Sequence, residues 1–131
     1  MEVRDAVEGD AETLAELVDG PRDVLRNVIH DRTVRIAIED DEAVAFVSFD
    51  ARPGTVYVTQ IGGDPAACER LLEEPIRFAK REGMVVELLV TESEDSIRGA
   101  VVRSGFEEIG PGPGFGGEPT VKYRHEPSGA S

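Results

Sequence analysis

The sequence predicts a single α/β domain on one mixed β-sheet, in which an antiparallel N-terminal meander runs into a parallel βαβ unit. Three observations predict it. The stretch from Val56 to Phe106 reads as strand, helix, strand, helix with short connections, the signature of parallel strands joined by a right-handed crossover. The helical part after Pro65 carries apolar or small residues at Cys68, Leu71, Leu72, Pro75, Ile76 and Ala79, the 3.6-residue rhythm of a core-facing stripe. Upstream, apolar runs separated by turn residues bracket Val34 to Ile61 and predict consecutive antiparallel strands.

Each element has a local reason. Val3 to Val7 predicts a first strand, and Asp10 is placed to cap a short helix carrying Leu14, Leu17 and Val18, which Asp19-Gly20-Pro21 breaks. Val24, Leu25, Val28 and Ile29 predict a second short helix ending near His30. Val34, Ile36 and Ile38 alternate with Arg35 and Ala37, as in a strand with one wet face. Glu39-Asp40-Asp41-Glu42 is a turn, Ala43 to Phe49 an almost wholly apolar central strand, and Arg52-Pro53-Gly54 turns the chain into the strand Val56–Ile61. Asp64 suits the N-cap of the long crossover helix, Pro65 its first position, and Gly83 its left-handed end. Pro75, inside the pattern, predicts a kink or break. Met84 to Val90 predicts the second parallel strand and the segment ending in Ser104-Gly105-Phe106 the next helix. Glu107 to Ile109 continues as strand, Gly110 to Gly117 predicts a glycine-proline hairpin loop, and Pro119 to Arg124 a last strand. The domain is expected over 1–126, with 127–131 a frayed tail.

Composition narrows the function. A chain of 131 residues, 40% hydrophobic, is long enough to bury a core. No stretch is long and apolar enough to span a bilayer, no secretory signal is expected ahead of Val3, and cytoplasm is the expected compartment. The single cysteine, Cys68, belongs to the core stripe of its helix and reads as a buried, inert thiol. His30 and His125 lie at element ends with no metal-site spacing, so no metal is expected. Asp plus Glu number 27 against 14 basic residues, and only Lys80 and Lys122 are lysines. Acids number 14 against 5 arginines in the first fifty residues. So negative a field argues against nucleic acid and anionic membranes as partners. Acid excess together with lysine scarcity favours adaptation to a salty cytoplasm.

Several short segments, in order and spacing, resemble the GNAT superfamily of N-acetyltransferases across about residues 2 to 125. Val3-Arg4-Asp5-Ala6-Val7-Glu8-Gly9-Asp10 is similar to that family's opening I-R-x-A-x-x-x-D. Gly63-Asp64-Pro65 stands where V-D-P is common, and Ala100-Val101-Val102-Arg103-Ser104-Gly105-Phe106 resembles the A-L-Y-E-K-L-G-F ending of its last helix. The resemblance implies acetyl transfer from acetyl-CoA, as donor, to an amine on a small molecule or a protein. It also implies that the strand Val56–Ile61 splays from Met84–Val90 to admit the pantetheine arm, and that the pyrophosphate rests on amides at the start of the following helix. Homodimerisation stays open.

The chain departs from the family where the chemistry is densest. The loop signature R/Q-x-x-G-x-G/A is absent, and between Pro65 and Leu71 there is no glycine. Gly62, Gly63 and Arg70 are the remaining candidates to hold the pyrophosphate, with Thr59, Gln60 and Ile61 supplying backbone groups to the donor. Against them, an Asp64 cap would use the same N–H groups and repel a phosphate, so a carboxylate-plugged corner is the observation set to count against an acyl donor. Val101 replaces the family's tyrosine and Glu94 stands where asparagine is common. Tyr57, Glu92 and Tyr123 are left as candidate acid–base residues. Two functions follow: an acetyl-CoA-dependent N-acetyltransferase, and a GNAT-like binding or partner module without catalysis.

Overall fold

The computed structural model describes residues 1–18, 21–115 and 117–126. The expected Asp19-Gly20 break and the 127–131 tail lie outside them. The described strands form one seven-stranded mixed sheet. Strands β1 (Glu2–Asp5), β2 (Thr33–Glu39), β3 (Glu42–Arg52) and β4 (Thr55–Gly63) pair antiparallel in sequence order, and β5 (Val85–Thr91) joins β4 in parallel. β6 (Glu107–Phe115) and β7 (Glu118–His125) follow, with β7 inserted beside β5 and β6 on the edge. The predicted architecture is therefore present.

Helices cover both faces because successive strand residues point to opposite sides. On one face Val34 and Ile36 of β2 and Phe46 of β3 pack with Leu14 of α1 (Ala11–Val18) and Leu25 of α2 (Arg22–Asp31). On the other, Ala37, Val47, Val58, Val86 and Leu88 pack with Cys68, Leu71 and Leu72 and with Val101 of α5 (Asp95–Arg103). The crossover helix is broken as Pro75 predicts, into α3 (Pro65–Leu71) and α4 (Glu73–Glu82). Pro75 is the third residue of α4, where it has no N–H to offer Leu71 and its ring would crowd that carbonyl in a continuous helix. Gly83 ends α4 at φ 70°. At the β2–β3 hairpin Asp40 and Asp41 both take positive φ, 52° and 66°, the backbone of a type I′ turn.

Two expectations need correction. Asp10 does not cap α1. It closes a 3₁₀ turn, Glu8–Asp10, accepting the Val7 N–H at 2.8 Å and clasping the Arg4 guanidinium through both oxygens at 3.0 Å. The Arg and Asp of the opening motif are thus a structural pair. Nor is the glycine-proline segment wholly a hairpin loop. Gly110, Pro111 and Gly112 lie in β6, opposite Lys122, Val121 and Thr120 across two register shifts. Proline is tolerated there because an edge strand need pair along one side only.

Candidate functional site

The site begins at an irregularity in β4. Its register against β3 shifts between Ser48 and Phe49, so that Ser48 faces Gln60 and Phe49 faces Val58 while Thr59 bulges between them. The Thr59 hydroxyl donates to the Ser48 carbonyl at 3.2 Å and lies 2.6 Å from Ser48 Oγ, which pins the bulge. A bulge bends its strand and sharpens the local twist. Consistently, the parallel ladder between β4 and β5 covers only Thr55↔Val85 through Val58↔Leu88, although β4 runs on to Gly63 and β5 to Thr91. Beyond Val58 and Leu88 the two strands are no longer paired, so the Thr59–Ile61 backbone has no partner on its β5 side among the described residues. Gln60 Oε1 is buried and has no hydrogen-bond partner among the described residues.

On the face away from α3, a cavity of about 630 Å³ opens where the ladder ends, lined by Arg32, Asp50, Tyr57, Thr59, Glu87 and Lys122 among others. Tyr57 is half-exposed and sits between Asp50 on β3 and Glu87 on β5 in the strand register. Glu87 is buried, the one charged residue of β5. Burial works against its ionisation, but Arg124, donating at 2.7 and 3.0 Å, and Lys122 at 3.3 Å outweigh burial and hold its carboxyl below the usual range. Asp50 is held more loosely, by Arg32 at 3.3 Å and Arg52 at 3.5 Å.

The opposite corner, where β4 enters α3, is closed. Asp64 caps α3, its carboxylate accepting the Ala67 N–H at 3.0 Å and its carbonyl accepting from Cys68. Gly63 has φ 111°, and a Cβ on it would fall 2.3 Å from the Val44 carbonyl oxygen and 2.5 Å from the Ala45 Cα. The close approach that this glycine permits is therefore made by β3. Gly62 is buried opposite Phe46. Arg70 turns down the helix toward Glu73 at 3.9 Å and Glu74 at 3.6 Å, away from the α3 N-terminus. The candidate pyrophosphate residues are not gathered around free amides, and the carboxylate-plugged corner is what the structure contains.

The three acid–base candidates are separated too. Tyr57 alone faces the cavity. Tyr123 is 1% exposed, lies opposite Leu88 on the α5 face, and its hydroxyl accepts from Arg98 Nε at 3.1 Å. Glu92 is exposed just past β5, its N–H bound to the Pro119 carbonyl. Cys68 is fully buried, and burial, with Asp64 and Glu94 adding, pushes its thiol up to about 12, so it is no nucleophile. Sequence reasoning missed Arg32, Asp50, Glu87 and Lys122. One signal was in view: a lone glutamate in the run Val85-Val86-Glu87-Leu88-Leu89-Val90 must be partnered if that strand is central.

The same order of strands and helices is found in solved structures of other proteins. The chain is similar to an N-acetyltransferase from Staphylococcus aureus Mu50 (TM-score 0.79, 10% identity, covering 97% of this chain and 97% of that one). It is also similar to the ribosomal-protein-S18-alanine N-acetyltransferase from Escherichia coli (0.76, 14%, 95% and 92%). A third is an acetyltransferase of the GNAT family from Bacillus cereus ATCC 10987 (0.74, 18%, 95% and 96%). The chain has the GNAT fold. No family model and no curated protein sequence matches it.

Acetyl-CoA, the donor this fold implies, can be tested against the residues present. The Thr59–Ile61 backbone, unpaired on its β5 side, fits an amide-bearing arm. The start of α3, with Asp64 across it, does not fit the diphosphate.

Proposed function

We propose that the protein transfers an acetyl group from acetyl-CoA to an amine held in the cavity beside Tyr57. The observation that carries this reading is the end of the β4–β5 pairing at Val58 and Leu88, residues that also line that cavity. The donor, when bound, supplies a thioester that an amine can attack. In this reading the backbone of Thr59, Gln60 and Ile61 and the Gln60 side chain orient the donor arm along β4. The Thr59 and Gln60 N–H groups lie on the bulged strand, suited to polarise a carbonyl. An ammonium must first give its proton to water before the free amine can attack, and Tyr57 is the hydroxyl placed at the cavity to donate a proton to the departing thiolate, being recharged from solvent. Glu87 serves in position and charge, since Arg124 and Lys122 keep it ionised and make it a weak base. A GNAT-like binding module without catalysis is the second reading, and the Asp64 carboxylate across the start of α3 is the observation in its favour.

Two measurements test the proposal. Acetyl-CoA at a hundred times its dissociation constant should stabilise the fold by about 2.7 kcal/mol over buffer, visible as a rise in melting temperature. Thiol release with an amine panel should fall about a hundredfold in Tyr57→Phe, the low end of what a proton-transfer group contributes. No stabilisation together with no thiol release from any amine would overturn the reading.

A further inference from the structure

The charges around the cavity run opposite to those of the chain. Overall, 27 acids outnumber 14 bases; around the cavity Arg32, Arg52 and Lys122 stand against Asp50 and Glu87, with Arg124 behind Glu87 as a fourth cation. Each carboxylate is shared by two cations, and the sharing is uneven. Arg124 holds Glu87 at 2.7 Å, the length of a strong charge-assisted bond. The other three contacts are long: Lys122 to Glu87 at 3.3 Å, Arg32 to Asp50 at 3.3 Å, and Arg52 to the same Asp50 oxygen at 3.5 Å. Two guanidinium groups crowded on one oxygen repel each other, and a second anion between them would relieve that repulsion. Glu107 faces Arg124 across the β6–β7 register, but among the described residues it makes no ion pair with it.

Building on the acetyltransferase reading, we infer that the cavity selects an amine that also bears a carboxylate, an amino acid or close relative, with Arg32, Arg52 and Lys122 receiving the carboxylate. Glu87 and Asp50 then attract the ammonium end while the loosely held cations turn to the other. The acidic surface alone would suit a purely cationic amine; the lining of the cavity argues the reverse.

Matched pairs test this on the full chain: tyrosine against tyramine, phenylalanine against phenethylamine, and lysine against cadaverine, with phosphoethanolamine as an amine bearing a different anion. Thiol release should favour the α-amino acid of each pair by about tenfold or more in kcat/KM, the scale of one hydrogen bond to a charged group. Arg52→Gln and Lys122→Gln, both at well-exposed side chains, should bring that ratio toward one. Calorimetric titration of the preferred amino acid without acetyl-CoA reads the site independently of transfer. Binding that weakens in both variants supports the inference even if no thiol is released, an outcome that would count against transfer alone. Equal turnover of acids and decarboxylated amines would overturn it and leave the transferase standing. Turnover of phosphoethanolamine above every amino acid would also overturn it, by reassigning the anion.

Discussion

Glu87 shows how a single residue ties stability to the site. It stands one pair before the end of the β4–β5 ladder, opposite Tyr57, and is paired with Lys122 and Arg124. Burial alone would raise its pKa, but its two cationic partners bring it below the unfolded value. A carboxyl whose folded pKa is depressed contributes stability that is present above the unfolded pKa, near 4.3, and lost as pH falls through the folded one. Glu87→Gln leaves two cations facing an uncharged amide and should cost roughly 1–3 kcal/mol at pH 7. Urea unfolding should show the two proteins converging below about pH 4, since the wild-type advantage titrates away. A gap of constant size down to pH 3 would mean that shape, and not charge, carries the effect. Glu87 was legible as an anomaly in its strand; its partners on β7 were not, because antiparallel pairing across an inserted strand leaves no mark in local sequence.

At the scale of elements, the α3 corner decides how the donor sits. Strand and helix order, the Pro75 break and the Asp64 cap were all readable, since each rests on local chemistry: periodicity, a missing N–H, a carboxylate before a helix. What local chemistry hid was long-range. The pairing of β6 overrode its glycine-proline content, and the fit of Gly63 against β3 converted an apparent ligand contact into packing. Tyr123 faces α5, and the cavity gathers from five strands and a helix end, so no spacing announced it. If acetyl-CoA is the donor, Asp64 opposes its diphosphate. Asp64→Ser keeps a side-chain acceptor for the Ala67 N–H at a cost of a few tenths of a kcal/mol. Removing the charge should tighten acetyl-CoA about fivefold, or ~1 kcal/mol, by titration calorimetry. Unchanged or weaker binding would show that the diphosphate lies away from this corner.

Over the whole molecule the balance of charge sets a final test. Were each of the 14 bases paired to one acid, 13 of the 27 acids would still be unmatched. Salt acts on this chain in two directions: it weakens attractive pairs and relieves repulsion. The pairs act at contact, such as Arg4–Asp10 at 3.0 Å, and exposed ones contribute about 0–1 kcal/mol. Repulsion among the surplus acids acts over longer distances, where screening is strongest; the Debye length falls from about 10 Å at 0.1 M to about 3 Å at 1 M. Salt should therefore remove more repulsion than attraction. The melting temperature is expected to rise by roughly 4–8 °C between 0.05 and 1 M potassium chloride, the shift of about 1–2 kcal/mol for a chain of this size. Unfolding on dialysis to low salt would be the extreme form of that response. Screening saturates as the Debye length shortens, so most of the rise belongs below 0.5 M; a rise that continues linearly to 3 M would instead mark exclusion of salt from the surface. A flat or falling curve would show that the ion pairs dominate, and the surplus of acids would then carry no adaptation to salt.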